Sequence, residues 1–433
     1  MLSHEPFWWQ AAPPLALEQQ PIAGHSDVAI VGAGYTGLSA ALTLARAGRT
    51  VQVFDKMRPG EGASTRNGGI ASGTLRPGYK EMVKNFGEAR ANAIQAEAIA
   101  ARAWLAEFIK TEKLDCDFAM SGRFTGAANP EDYDGLARDA EFTSKRFGLD
   151  IRPVPRSEQR SYLGTDFYYG GVIRYDIGGL HPAKLHAELL RIALEAGVVV
   201  HSETRVTGIR PEGDGFEVAT ARGKVQAEHV ITGTNGYTDE ADRWLRRRLV
   251  PVRSRIIATA PLSDNLMRQL MPRGVMCSET RKLYYYYRPS PDGKRILFGG
   301  RDGTIAGDPQ WPTEHLRRAL VDIFPELENT EISHSWFGNV AMNRDFVPRV
   351  FSRGGMRYAV GYCGSGVVWA NWAGRKAALQ ILGDDAGATA FDFRPPAMIP
   401  IYNGTPWFMP VVYGWLTFQD WKAARKRKRT RAT

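Results

Sequence analysis

Cysteine is scarce in this 433-residue chain: Cys116, Cys277 and Cys363 stand far apart and form no CxxC pair. That excludes a zinc knuckle and a thioredoxin-like motif, and fits a reducing compartment. No apolar run approaches the roughly 20 residues that span a bilayer. The opening "MLSHEPFWWQAAPP" lacks a basic stretch followed by an apolar core, so no secretory signal is expected there. A cytoplasmic protein is the expectation, with peripheral contact at the inner face of a membrane as the variant. Acid is missing from residues 422–433 ("KAARKRKRTRAT"), which hold seven of the basic residues behind the net charge of +10. The basic character thus belongs to a tail, read by itself as a solvated, disordered end.

What is present is ordinary in bulk: 43% hydrophobic and 24% charged residues, enough chain for two or three domains. The informative stretch is "VAIVGAGYTGLSAALTLARAGRTVQVFDK", Val28 to Lys56. It reads as strand, glycine turn, helix and second strand. The first strand is apolar on both faces, as in a buried parallel sheet. Gly32 allows the tight turn, Gly34 lets backbone approach a pyrophosphate, and Gly37 lets helix and strand pack. The helix start offers Tyr35 and Thr36 amides to phosphate. Asp55 ends the second strand, followed by Lys56, where a carboxylate accepts hydrogen bonds from a ribose. Strand, helix and terminal acid together mark a dinucleotide site, with NAD or FAD favoured over NADP. The loop "GEGASTRNGG", Gly60–Gly69, lacks periodicity and is long for a passive connection. It favours FAD, whose distant ring needs backbone donors; a flexible surface loop is the competing reading.

Further on, α/β segments near 25–80, 180–240 and 335–385 alternate with more antiparallel inserts. Residues 81–113 have helical spacing. Pro182 starts a helix that Gly197 ends. Residues 215–232 read as a hairpin and then a buried strand. The stretch 281–301 reads as a hairpin around "SPDG".

Taken in order, "GASTRNGG", "GGLHPAKL…VTGI", "GTNGYT", "PVRSRIIAT" and "GYCGSGV", with the opening motif, resemble the D-amino-acid-oxidase-like family of FAD-dependent oxidoreductases. Within it they are most like the γ-glutamylputrescine oxidase-type group. The resemblance implies an α/β, two-domain fold: a discontinuous Rossmann-like FAD-binding domain with an inserted substrate domain on a large mixed β-sheet. The expected boundaries are 1–80, 176–245 and 331–400 for the first, and 81–175 and 246–330 for the second. Residues 401–433 form an aromatic segment with the basic tail.

The resemblance also assigns roles. Ala63, Ser64, Thr65, Arg66, Asn67, Gly68 and Gly69 lie along pyrophosphate, ribityl and ring. Val206 meets the adenine by its backbone, and Gly233 is a further cofactor-binding residue. Gly364, Ser365 and Gly366 lie by the flavin ring, with the following helix N-terminus aimed at it, and Gly361 and Val367 beside them are also cofactor-binding. No cysteine stands in "WFGNVAMNRD", so a non-covalent FAD is expected, and Cys363 is read as a small buried residue. The reaction implied is oxidation of a small amine or amino acid to an imine that hydrolyses. Oxygen or a quinone takes the electrons; no lysine for oxygen activation is evident in "RILFGG". The candidate catalytic residues are Tyr284, Tyr286 and Arg301. In a strand the two tyrosines share a face, with Tyr285 and Tyr287 opposite. They line either an aromatic wall or a packed sheet. Arg301 pairs either with a substrate carboxylate or with an acid of the chain. No metal site is expected. "PWFMPVVYGWLTFQDW" before the tail is either docked on the body or set at an anionic membrane surface. A nucleic-acid-docking tail is the more distant reading, and a soluble NAD-dependent dehydrogenase is a third.

Overall fold

The architecture is that of a computed structural model describing residues 2–301 and 310–432, with side chains through 424. His25–Val31 lies at the centre of the first sheet. It pairs in parallel with Val51–Phe54 on one side and Gly223–Thr232 on the other, Val28 standing opposite both Val51 and His229. Val199–His201 extends one edge, and Met356–Val360 with Arg349–Arg353 the other. Val28, Ala29 and Ile30 are buried, as the unalternating apolar run requires. Four helices cover this sheet's core: Tyr35–Arg46, Glu88–Thr111, Pro182–Glu195 and Gly366–Ile381.

Among the described residues the second sheet has eight strands, in the order Ile332–Met342, Val250–Thr259, Ile296–Arg301, Tyr286–Pro289, Met276–Glu279, Arg123–Gly126, Gly171–Arg174 and Ile151–Val154. Among these eight described strands only the pairing of Met276–Glu279 with Arg123–Gly126 is parallel, so the sheet is mixed. It closes on its own apolar core around Phe124, Tyr287 and Phe298.

Several local features differ from the sequence expectations. Ile332–Met342, assigned with the first sheet, pairs along its whole length with Val250–Thr259 of the second. Glu88–Thr111, assigned with the inserts, buries Ala91, Ile94, Ala98 and Ala101 beside Leu38 and Trp369 of the first. Periodicity says that a face is buried, not which sheet buries it. The helical stretch from 81 breaks at Gly87, whose φ of +81° ends Tyr79–Phe86 and starts Glu88–Thr111. The hairpin arm and buried strand read separately in 215–232 are one strand, Gly223–Thr232, paired with Gly215–Thr220. The terminal tail, read as disordered, continues the helix Met409–Ala432. No helix among the described residues is long and apolar enough to cross a membrane.

Candidate active site

A cavity of about 510 Å³ runs between the two sheets. One end lies over the C-terminal ends of His25–Val31 and Val51–Phe54, where an open α/β sheet binds its ligand. At Gly32 φ is +105°, a turn a side chain would strain. Asp55 accepts hydrogen bonds from the amides of Ala33 (2.8 Å) and Met57 (2.9 Å). Burial raises its carboxyl above the usual range, and those two amides oppose the rise. Lys56 donates to the Tyr237 carbonyl and pairs with Asp239 at 3.0 Å, closing the cavity's side. Val206 and Gly233 line the same end.

The Gly60–Gly69 loop is not a flexible surface loop. Three indoles hold it from behind: Trp8 donates to the Asn67 carbonyl, Trp9 to the Thr65 hydroxyl, and Trp336 to the Arg66 carbonyl, all at 2.8–2.9 Å. Asn67 stitches the loop further, donating to the Ala63 and Ser64 carbonyls and accepting from the Gly69 amide. Ser64 accepts from the Tyr35 amide at 3.0 Å, and a Cβ on Gly34 would stand 2.8 Å from that hydroxyl. Gly34 is therefore needed for the loop's approach as well as for a phosphate's.

At the far end, Gly364, Ser365, Gly366 and Val367 line the cavity at the start of Gly366–Ile381. The free amides and positive dipole end of that helix face whatever lies there. Ser365 accepts from Ser72 at 3.1 Å. Cys363 also lines the cavity, but its thiol donates to the Gly361 carbonyl, and burial pushes it up to about 11. At neutral pH it is a neutral thiol, not a nucleophile.

Tyr284, Tyr286 and Arg301 meet here. The two tyrosine rings lie 6.4 Å apart, and the Arg301 guanidinium stands 5.8 Å from the Tyr284 ring centre. Tyr286 approaches Ser254 at 3.0 Å and passes over Gly68 and Gly299, where a Cβ would meet its ring. Tyr285 and Tyr287 point into the opposite core with Phe298. Tyr284 and Tyr285, expected within the strand, precede it, since the strand is Tyr286–Pro289. The alternation still separates a cavity face from a packed face.

Gly37, Thr65, Gly69 and Gly361 do not line the cavity. A Cβ on Gly37 would collide with the Gly32 carbonyl oxygen, so this glycine serves packing alone. Thr65 bonds to the Gly60 carbonyl, and Gly69 packs on the Leu180 carbonyl. Gly361 donates to the Asn235 side chain. Sequence reasoning missed Ser72, Thr74, Arg76, Arg123, Thr125 and Ser278, which complete the far end. They come from segments without a motif; only the strand register brings them together. No group of His, Cys, Asp and Glu among the described residues could hold a metal ion.

The sequence profile of the FAD dependent oxidoreductase family matches residues 27–379. The chain belongs to this family. It is 33% identical to a probable oxidoreductase OrdL of Haemophilus influenzae over 85% of each chain. It is 31% identical to the gamma-glutamylputrescine oxidoreductase of Escherichia coli, covering 86% of this chain and 88% of that one. Among solved structures, glycine oxidase from Geobacillus kaustophilus superposes with a TM-score of 0.73 at 21% identity, over 87% of this chain and 99% of that one. The protein is an oxidoreductase of the D-amino-acid-oxidase-like fold with FAD as its cofactor. The glycine-shaped cradle at Gly32, Gly34 and Gly68 and the amide-rich loop fit such a group.

Proposed function

We propose that this flavoenzyme oxidises a C–N bond of a small amine or amino acid, giving an imine that hydrolyses to an aldehyde or keto acid plus amine or ammonia. One observation carries the reading: an unbroken cavity joins the dinucleotide turn to an aromatic, arginine-bearing end on the facing sheet. When bound, FAD supplies hydride acceptance at its N5. Asp55 would hold the adenosine ribose, the Gly34–Thr36 helix start and Ser64 the pyrophosphate, and the Gly366 helix start the ring edge. Tyr284 and Tyr286 wall the substrate against the ring and exclude water. Arg301 pairs with a substrate carboxylate, fixing the reacting carbon. The cofactor is held non-covalently, since the nearest thiol, Cys363, is neutral and engaged.

Anaerobic addition of amines and amino acids should bleach the flavin for a subset of them, and acid precipitation should release the flavin. A protein that never bleaches would defeat the reading. Reoxidation by oxygen or by a quinone then names the acceptor, and either places the enzyme within this proposal. Arg301→Met should weaken amino acids at least tenfold more than simple amines; equal loss would reject its role.

The terminal segment gives the reading a second part. Asp420 accepts from the Lys282 and Leu283 amides, docking the helix beside Tyr284. Yet Val411, Trp415 and Phe418, on one helical face, stay half or more exposed, next to the Lys- and Arg-rich tail. We assign that face to peripheral contact with an anionic lipid surface, with the protein otherwise cytoplasmic. Flotation with phosphatidylserine vesicles, with and without residues 405–433, tests it; no difference would reject it.

A further inference from the structure

Arg123 opens the strand Arg123–Gly126 and sits deep in the chain with part of its side chain open to the cavity. Its Nε is buried without a hydrogen-bond partner, and no acid among the described residues pairs with it. The neighbouring acids are taken: Asp176 by Arg102 and Arg174, and Glu279 by Arg281. Register explains its place. Arg123 and Thr125 point to the same face, Thr125 stands opposite Ser278, Ser278 opposite Tyr286, and Tyr286 opposite Gly299, two residues before Arg301. Arg123 and Arg301 are thus three strands apart and four residues offset along them, since Arg123 lies across from Leu297, about 20 Å between backbones. Arg76 comes from the other wall, its guanidinium 5.4 Å from the Tyr284 ring centre. Burial would raise the Tyr284 phenol, but Arg301, Arg76 and Arg123 together pull it below its ordinary value. Desolvation likewise drags the Arg123 guanidinium down, to about 10. Asp176 offsets part of that cost from a distance, but it is already bonded to Arg102 and Arg174. A largely desolvated cation with no ion pair of its own beside a substrate cavity is suited to an anion.

We propose that Arg123 and Arg76 form a second anion subsite across Tyr284 from Arg301, so that the substrate is an amino compound with two acidic groups. The inference rests on C–N oxidation at this same site. One carboxylate, next to the reacting carbon, sits on Arg301. The other, on the substrate's far end, sits on Arg123 and Arg76, with the Thr125 and Ser278 hydroxyls beside it.

The test uses the flavin-loaded enzyme and two probes without an amine, glutarate and butyrate. Each is titrated by its perturbation of the flavin absorbance. Wild type should bind glutarate at least tenfold tighter than butyrate, because both anion subsites are filled instead of one. Arg123→Gln should collapse that ratio to near one, and Arg123→Lys should retain part of it. In turnover, glutamate or N-carboxymethylglycine should exceed glycine in kcat/KM by a similar factor, and lose that lead in Arg123→Gln. Without ligand, Arg123→Met should melt at or above the wild-type temperature, since an unpaired buried charge has gone. Equal wild-type affinity for both probes would overturn the subsite. So would equal losses for both in Arg123→Gln, or failure of both Arg123→Gln and Arg123→Met to fold, which would mark a structural arginine. Flavin bleaching by monocarboxylic amino acids without any glutarate preference defeats this subsite alone. No bleaching by any amine defeats the C–N reading beneath it.

Discussion

Replacing Gly37 by alanine sets two opposed effects against each other. Gly37 lies inside the helix Tyr35–Arg46, where alanine is the better helix former by about 1 kcal/mol. The new methyl, however, would drive into the Gly32 carbonyl oxygen and stand 3.2 Å from the Ile30 side chain. Backbone cannot swing aside as a side chain does, so the helix must leave the strand by on the order of 1 Å. Overpacking of this kind costs about 3 kcal/mol at the upper end of its range, which leaves a net loss of about 2 kcal/mol. The same shift pulls the Tyr35 amide from Ser64 and moves the helix start away from the phosphates. Gly135 supplies the control. It also lies in a helix, Pro130–Phe147, but nothing stands within 4 Å of its Cβ position. Gly135→Ala should therefore stabilise by about 0.5–1 kcal/mol. Urea unfolding of both variants, with flavin per chain measured after gel filtration, makes the comparison. Gly37→Ala should unfold at clearly lower urea and lose flavin, while Gly135→Ala unfolds at the wild-type concentration or above. If Gly37→Ala matches Gly135→Ala in midpoint and flavin content, the packing argument is refuted.

Asp55→Ala strands the fully buried Ala33 amide, at a cost of about 1–3 kcal/mol, and should lower flavin affinity at least tenfold; Asp55→Asn, keeping one acceptor, should fall between. Acid should destabilise the protein through His181 and His186, both depressed by burial from 6.5 to about 4. The unfolded chain then binds more protons than the native one between those values, so stability falls as pH drops through 6.5 and levels off below 4. At pH 5 the loss is about 2 kcal/mol per histidine, and His186→Gln should shrink the difference in urea midpoint between pH 7 and pH 5. An unchanged difference would show that His186 does not titrate this way. Asp420→Ala removes the acceptor of the Lys282 and Leu283 amides and should speed proteolysis within Met409–Ala432 while leaving the rest intact.

The cofactor's handle was legible in the linear chain because its chemistry is local. Three glycines, a helix start and Asp55 lie within two dozen residues, and each spacing answers to one backbone constraint. The alternation of Tyr284 and Tyr286 against Tyr285 and Tyr287 was equally local, since extended backbone has a period of two, although the strand itself starts only at Tyr286. Long-range packing settled the rest. Whether Glu88–Thr111 covers the first sheet or the second depends on which surface its alanine face meets. The strand Ile332–Met342 belongs to the second sheet because Val250–Thr259 offers it a full-length partner. "PFWW" reads as an aromatic cluster in the sequence, and only the fold makes its indoles the clamp behind the flavin loop. Arg123 carries no motif at all. Its place on the cavity wall exists only where three strand registers bring its strand to the same sheet as Tyr286 and Arg301, since a cation's partners are a property of the folded surroundings and not of its neighbours in sequence.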